Sequence, residues 1–137
     1  MITVVSRWKL KHGVPLELAT ALREAAYNYE KSEPGTDLYF VNLSAPKPLG
    51  PDLHPASMAP INPADQQEVV FVEKYPDAEA FATHVNGPVF TEFRTRYLKF
   101  FQEDPNQPGW PKRETLFLAE QSGFSRPAGP TSKKTSS

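Results

Sequence analysis

The chain has no cysteine among its 137 residues. That absence removes disulfides, thiolate metal sites, iron–sulfur clusters and cysteine nucleophiles together, and it fits a reducing, cytoplasmic setting. An excess of charge of either sign is also missing. Fifteen basic residues face sixteen acidic ones, a net charge of −1, so no broad positive field exists to hold a phosphate backbone, and nucleic acid is not an expected partner. Long apolar runs are absent too. The first, Met1 to Val5, stops at Ser6-Arg7, short of the ~7–15 residue core of a signal peptide and far short of the ~20 residues of a membrane span. No membrane partner is expected.

The three histidines, at positions 12, 54 and 84, stand at no metal-ligand spacing from one another or from a carboxylate pair, so no metal is expected. No Gly-x-Gly-x-x-Gly follows a strand, no glycine-rich loop ends in Lys-Ser/Thr, and no Gly-x-Ser-x-Gly elbow occurs. Nucleotide cofactors and serine-hydrolase chemistry are disfavoured accordingly.

What is present suits one domain, with 39% apolar and 12% aromatic residues. Ile2 to Leu10 alternates with period two, which predicts a strand. Pro15 suits a first helical turn, and Leu18, Leu22, Ala25, Ala26 and Tyr29 recur at helical spacing until Pro34-Gly35 ends the helix. Asp37 to Leu43 predicts a second strand. Six of the 15 prolines then fall between Pro46 and Pro63, which predicts a long loop over 44–66, either a lid over a pocket or a mobile insertion. Glu68 to Tyr75 carries the strongest strand pattern in the chain, with Phe71, Glu73 and Tyr75 on one side. Asp77 can cap a short helix reaching Val85, and Gly87-Pro88 starts another with Val89, Phe90, Phe93 and Tyr97 along one face. Thr115 to Gln121 predicts a fourth strand. The domain then spans residues 1–122, and the Gly/Pro/Ser/Thr/Lys segment 123–137 is expected to be disordered.

The order strand–helix–strand, strand–helix–helix–strand is the split βαβ plan, an α+β ferredoxin-like fold: a four-stranded antiparallel sheet with helices on one face. Its other face carries Val5, Val70 and Val72. Apolar area of that kind usually marks an interface, and a homodimer packed sheet to sheet is the expected cover.

The strand face turned to the helices brings Glu73 and Tyr75 near His84 in the next helix and Arg94 in the one after. Ser6 and Trp8 lie alongside if the first and third strands pair. Polar groups there are costly unless they satisfy one another or line a wet pocket. Two readings of Glu73 and His84 stay open: a pair that fixes strand to helix, or a carboxylate tuning an imidazole base. Arg94, beside Phe90, Phe93 and Tyr97, is either a solvated cation or one placed to stabilise a developing phenolate.

The segment from Glu73 to Phe90 (Glu-Lys-Tyr-Pro-Asp-Ala-Glu-Ala-Phe-Ala-Thr-His-Val-Asn-Gly-Pro-Val-Phe) resembles the signature of antibiotic biosynthesis monooxygenase (ABM) domains. Glu73 and His84 match that pattern, Tyr75 stands where a Trp is usual, and Val89 replaces a second His. The resemblance implies a dimeric ferredoxin-like α/β barrel and a cofactor-independent oxygenase that uses O2 on a phenolic, anthrone or polyketide-like small molecule. With the strand-face reading above, the expected catalytic residues are His84, Tyr75, Arg94 and Glu73, and Ser6, Trp8, Phe71, Phe90 and Phe93 are expected to wall a substrate slot beneath the last two helices. The haem-degrading branch is similar in fold but uses an Asn, a Trp and a His ligand at positions that look like Ser6, Tyr75 and Arg94, so haem is not an expected cofactor. A non-catalytic small-molecule binder or scaffold dimer, and an oxygen-independent isomerase, are the alternatives on the same fold.

Overall fold

The structure, a computed structural model, describes residues 1–127. It has the ferredoxin-like α+β architecture that the element order predicts. Strand β1 (Ile2–Lys9) leads into helix α1 (Leu16–Ser32), then β2 (Leu38–Asn42), β3 (Glu68–Tyr75), α2 (Ala78–Val85), α3 (Pro88–Tyr97) and β4 (Arg113–Ala119). The sheet order is β2-β3-β1-β4, every pairing antiparallel. Residues 123–127 are exposed and without regular structure, while the rest of the expected disordered tail, 128–137, lies outside the described residues.

Alternation splits the sheet into two faces. Val4, Ser6 and Trp8 of β1 and Val69, Phe71, Glu73 and Tyr75 of β3 point to the helices and are buried. Helix α1 answers with a stripe of Leu18, Ala21, Leu22, Ala25 and Tyr29. Burying a large side chain of this kind contributes about 1.5–3 kcal/mol, so this layer is the main source of stability. Helix α2 starts where the Asp77 carboxylate accepts the Ala80 amide at 2.9 Å. Pro88 opens α3, whose inner residues are Phe90 and Phe93.

One expectation needs adjustment. The fourth strand begins at Arg113 and ends at Ala119, because its ladder with β1 runs from Trp8↔Arg113 to Ile2↔Ala119, and polar Arg113 and Glu114 hide that start from a hydropathy reading. The proline-rich loop is tied at its base. Gln66 exchanges two hydrogen bonds with the Ser44 backbone, both 2.9 Å, and Pro63 accepts the Val14 amide at 2.9 Å. Gly13 (φ +61°) makes that last contact possible, since a Cβ there would sit 2.6 Å from the Pro63 oxygen.

Candidate functional site

The helix-facing side of the sheet divides into a dry end and a polar end. At the dry end the Trp8 ring packs on Phe71 (centroids 4.9 Å apart), Phe101 (5.3 Å), Phe90 (6.0 Å) and Phe93 (6.3 Å). Its indole Nε1 donates to Ser6 Oγ at 3.0 Å, and Ser6 in turn bonds Thr115 Oγ1 at 2.9 Å. Trp8, Phe71, Phe90 and Phe93, the expected walls of a slot beneath the last two helices, are buried and packed ring against ring here.

At the polar end three elements converge. The Tyr75 hydroxyl donates to Glu73 Oε1 at 2.6 Å, the alternate residues of β3 sharing one face. His84, in the last turn of α2, brings Nε2 to 3.7 Å from that same Glu73 oxygen. Its Nδ1 meets Glu33 Oε1 at 2.8 Å, and the Thr36 hydroxyl donates to the same Glu33 oxygen at 3.0 Å. Rings of Tyr29 (4.6 Å), Phe90 (5.4 Å), Tyr75 (5.5 Å) and Tyr39 (5.8 Å) surround the imidazole. Both carboxylates and the imidazole are buried.

Burial pushes the Glu73 carboxyl above the usual carboxylate range, against the lowering pull of the Tyr75 hydroxyl and the His84 imidazole. The Tyr39 and Tyr75 hydroxyls are raised by burial first and by the negative charge of neighbours second. The cluster thus holds its phenols neutral and makes Glu73 easy to protonate. Among the described residues no group of His, Asp and Glu is placed to hold a metal ion.

Glu73, Tyr75 and His84 meet, but Arg94 stands apart. Its guanidinium lies 4.2 Å over Trp110 and 6.0 Å from Phe90, and Nη1 donates to the Gly109 carbonyl at 2.7 Å. Arg94 thus pins the 104–110 loop, while the Phe90 ring lies near both its guanidinium and the His84 imidazole (5.4 Å). Sequence reasoning missed Glu33, Thr36, Tyr29 and Tyr39. An acid at the end of a helix, where the macrodipole disfavours it, and a tyrosine within the apolar stripe of α1 were the available signals.

The open space lies beside this cluster. A cleft of about 1150 Å³ runs between α1 and the edge strand β2, with mostly apolar walls that include Leu22, Ala26, Leu38 and Val41, and Tyr29, Thr36 and Tyr39 form its inner wall. Those three residues also touch the cluster, so one layer of side chains separates cleft from carboxylates. A smaller groove between α1 and α3 reaches Phe93 and Tyr97. No helix among the described residues is long and apolar enough to cross a membrane.

No protein-family model matches the chain, and no curated protein matches it. Solved structures do. SnoaB, a cofactor-independent oxygenase from Streptomyces nogalater, is 14% identical with a TM-score of 0.56, covering 91% of this chain and 97% of its own. PA3566 from Pseudomonas aeruginosa is 15% identical with a TM-score of 0.56, covering 88% and 94%. An antibiotic biosynthesis monooxygenase is 16% identical with a TM-score of 0.51, covering 89% and 100%. At these identities the likeness is one of fold, and the fold is the one that the Glu73–Phe90 segment resembles.

Proposed function

We propose that this chain is a cofactor-independent oxygenase of an acidic phenol or anthrone, bound in the cleft between α1 and β2. The observation that carries the reading is the shared wall: Tyr29, Thr36 and Tyr39 line a cleft of ring-system size on one side and pack on the Glu33–His84–Glu73 cluster on the other. The fold shared with a protein described as a cofactor-independent oxygenase supports it.

Apolar walls suit a fused-ring substrate, and the few polar groups orient it. A proton leaves the acidic C–H or O–H of the substrate and passes by way of the wall hydroxyls to Glu73 and His84. The electron-rich anion gives one electron to O2, and the radical pair recombines at carbon as a hydroperoxide. That intermediate loses water, so a CH2 and one O2 become a C=O and one H2O. The protein supplies orientation, a proton acceptor and exclusion of bulk water.

A homodimer belongs to this reading. Across the outer sheet face the ladders align Phe40, Val72, Val5 and Leu116 in one row, with Phe40 59% and Leu116 61% exposed. Ion pairs Arg7–Glu68 and Lys74–Glu120 bound that apolar belt at its two ends. A second copy clasping the belt closes the barrel, and light scattering should give twice the 15.3 kDa chain mass.

One observation favours a second reading, a non-catalytic binder. Glu73, Tyr75 and His84 lie behind the cleft wall and do not themselves line it. An oxygen electrode with dithranol (an anthrone) and a naphthohydroquinone separates the two. Oxygenation predicts uptake by the protein, reduced about 100-fold or more in Glu73→Gln, which keeps the Tyr75 contact but cannot take the proton. Saturable binding without uptake establishes the binder and ends the oxygenase reading.

A further inference from the structure

Glu33 is the C-cap residue of α1, its amide bonded to the Tyr29 carbonyl at 2.9 Å. A carboxylate is out of place there on two counts. The helix C-terminus carries the negative end of the macrodipole, which disfavours an acid by about 0.3–1 kcal/mol, and the side chain is buried. Local stability alone would favour a cation or an exposed residue at that point.

What holds Glu33 in place is its neighbours. His84 Nδ1 and the Thr36 hydroxyl converge on Oε1, and the turn between α2 and α3 is shaped to admit the carboxylate, since a Cβ on Gly87 would lie 3.2 Å from Glu33 Oε2. His84 itself has an alternative partner in Glu73, but that distance, 3.7 Å, exceeds a hydrogen bond. The titratable groups facing the imidazole are Tyr29 and Glu33 from the α1 end, Tyr39 from β2, and Glu73 and Tyr75 from β3.

We infer that Glu33 is a positioning residue: it takes the Nδ1–H of His84, fixes the imidazole tautomer, and so aims Nε2 at the Glu73 carboxyl. With Nδ1 committed to Glu33, a proton arriving from the cleft is shared between Nε2 and Glu73 and closes that 3.7 Å gap toward hydrogen-bond length. The orienting acid and the accepting acid are then distinct residues, which lie on opposite sides of one ring. This rests on the oxygenase reading for its catalytic consequence, but the tautomer stands or falls independently.

The test uses the full chain labelled with 15N-histidine at pH 8, without substrate, in long-range 1H–15N NMR. His12 and His54 are exposed, so the buried His84 ring is assigned by difference. In the wild type Nδ1 should carry a proton. Glu33→Gln keeps an oxygen where Oε1 stands and should keep that proton. Glu33→Ala should move it to Nε2 and lower kcat with dithranol about 10–100-fold at unchanged KM, since Glu33 does not line the cleft. A purely architectural Glu33 would lower the melting temperature in both variants and leave the tautomer alone. A bare Nδ1 in the wild-type spectrum, or Nδ1–H surviving in Glu33→Ala, overturns the inference. If the wild type consumes no oxygen, the oxygenase reading falls while the spectra still decide the role of Glu33.

Discussion

The two ends of the β3 inner face solve burial in opposite ways. Val69 and Phe71 sit in a dry aromatic cluster with Trp8 and Phe101, while Glu73 and Tyr75, two and four residues after Phe71 on the same face, sit among carboxylates, phenols and an imidazole. The dry end gains stability from every contact it makes. The polar end gains little net, because desolvating two carboxylates offsets much of what pairing returns. A sheet seeking only stability would continue the dry pattern, and the polar end is also the end that adjoins the cleft.

The sharpest way to break that contrast is to empty one site at each end. Phe101→Ala leaves a cavity under Trp8 and should cost about 3–5 kcal/mol by urea denaturation. His84→Ala leaves two buried carboxylates without the imidazole that bonds Glu33 and lies beside Glu73, and should cost about the same, about 3–5 kcal/mol. The origins differ, and acid tells them apart. Acid favours the protonated form of the Glu73 carboxyl, which burial already raises, so the deficit of His84→Ala should shrink as the pH falls from 8 to 5, whereas that of Phe101→Ala should stay constant. Equal pH responses would mean that the polar end is held by packing alone.

A gentler perturbation isolates Glu73. Its carboxyl is raised from an ordinary value of 4.5, first by burial. A group raised on folding binds its proton more tightly in the folded state. Its contribution therefore favours the fold below about 4.5 and is lost as pH rises through the folded value. Glu73→Gln removes that titration and keeps an acceptor for the Tyr75 hydroxyl, so its stability relative to wild type should improve between pH 5 and pH 8. Parallel denaturation midpoints across that range would show that Glu73 is ionised in the fold and compensated.

Much of this division was legible in the sequence, and the parts that were not share a cause. Period-two alternation placed Glu73 and Tyr75 on one face of β3, and the helix that follows brought His84 near them, both from residues within a dozen positions. Glu33 reaches His84 across 51 positions, and an acid closing an amphipathic helix otherwise reads as solvated. Arg94 is the mirror-image case. Its nearness in sequence to Phe90 suggested a pocket, but Gly109 and Trp110, more than a dozen residues on, capture the guanidinium. The cleft depends on how far α1 leans from the β2 edge, which no residue pattern encodes. The same limit hid how closely the rings around Trp8 pack, since ring spacing follows from packing rather than periodicity.

The smallest effect belongs to the seam on β1 beside the dry end. Ser6 accepts from the Trp8 indole and bonds Thr115, and it faces Phe71 across the β1–β3 ladder. Ser6→Ala strands the indole N–H, which is buried, but leaves Thr115 half-exposed on the edge strand β4, where water replaces the lost partner. The net loss should therefore be about 1–3 kcal/mol, the cost of one stranded buried donor rather than of a network. Because Ser6 contacts neither the cleft nor the Glu33–His84–Glu73 cluster, oxygen uptake in Ser6→Ala should match the wild type. A larger loss of stability accompanied by lost uptake would mean that the two ends are coupled through β1 and act as one site.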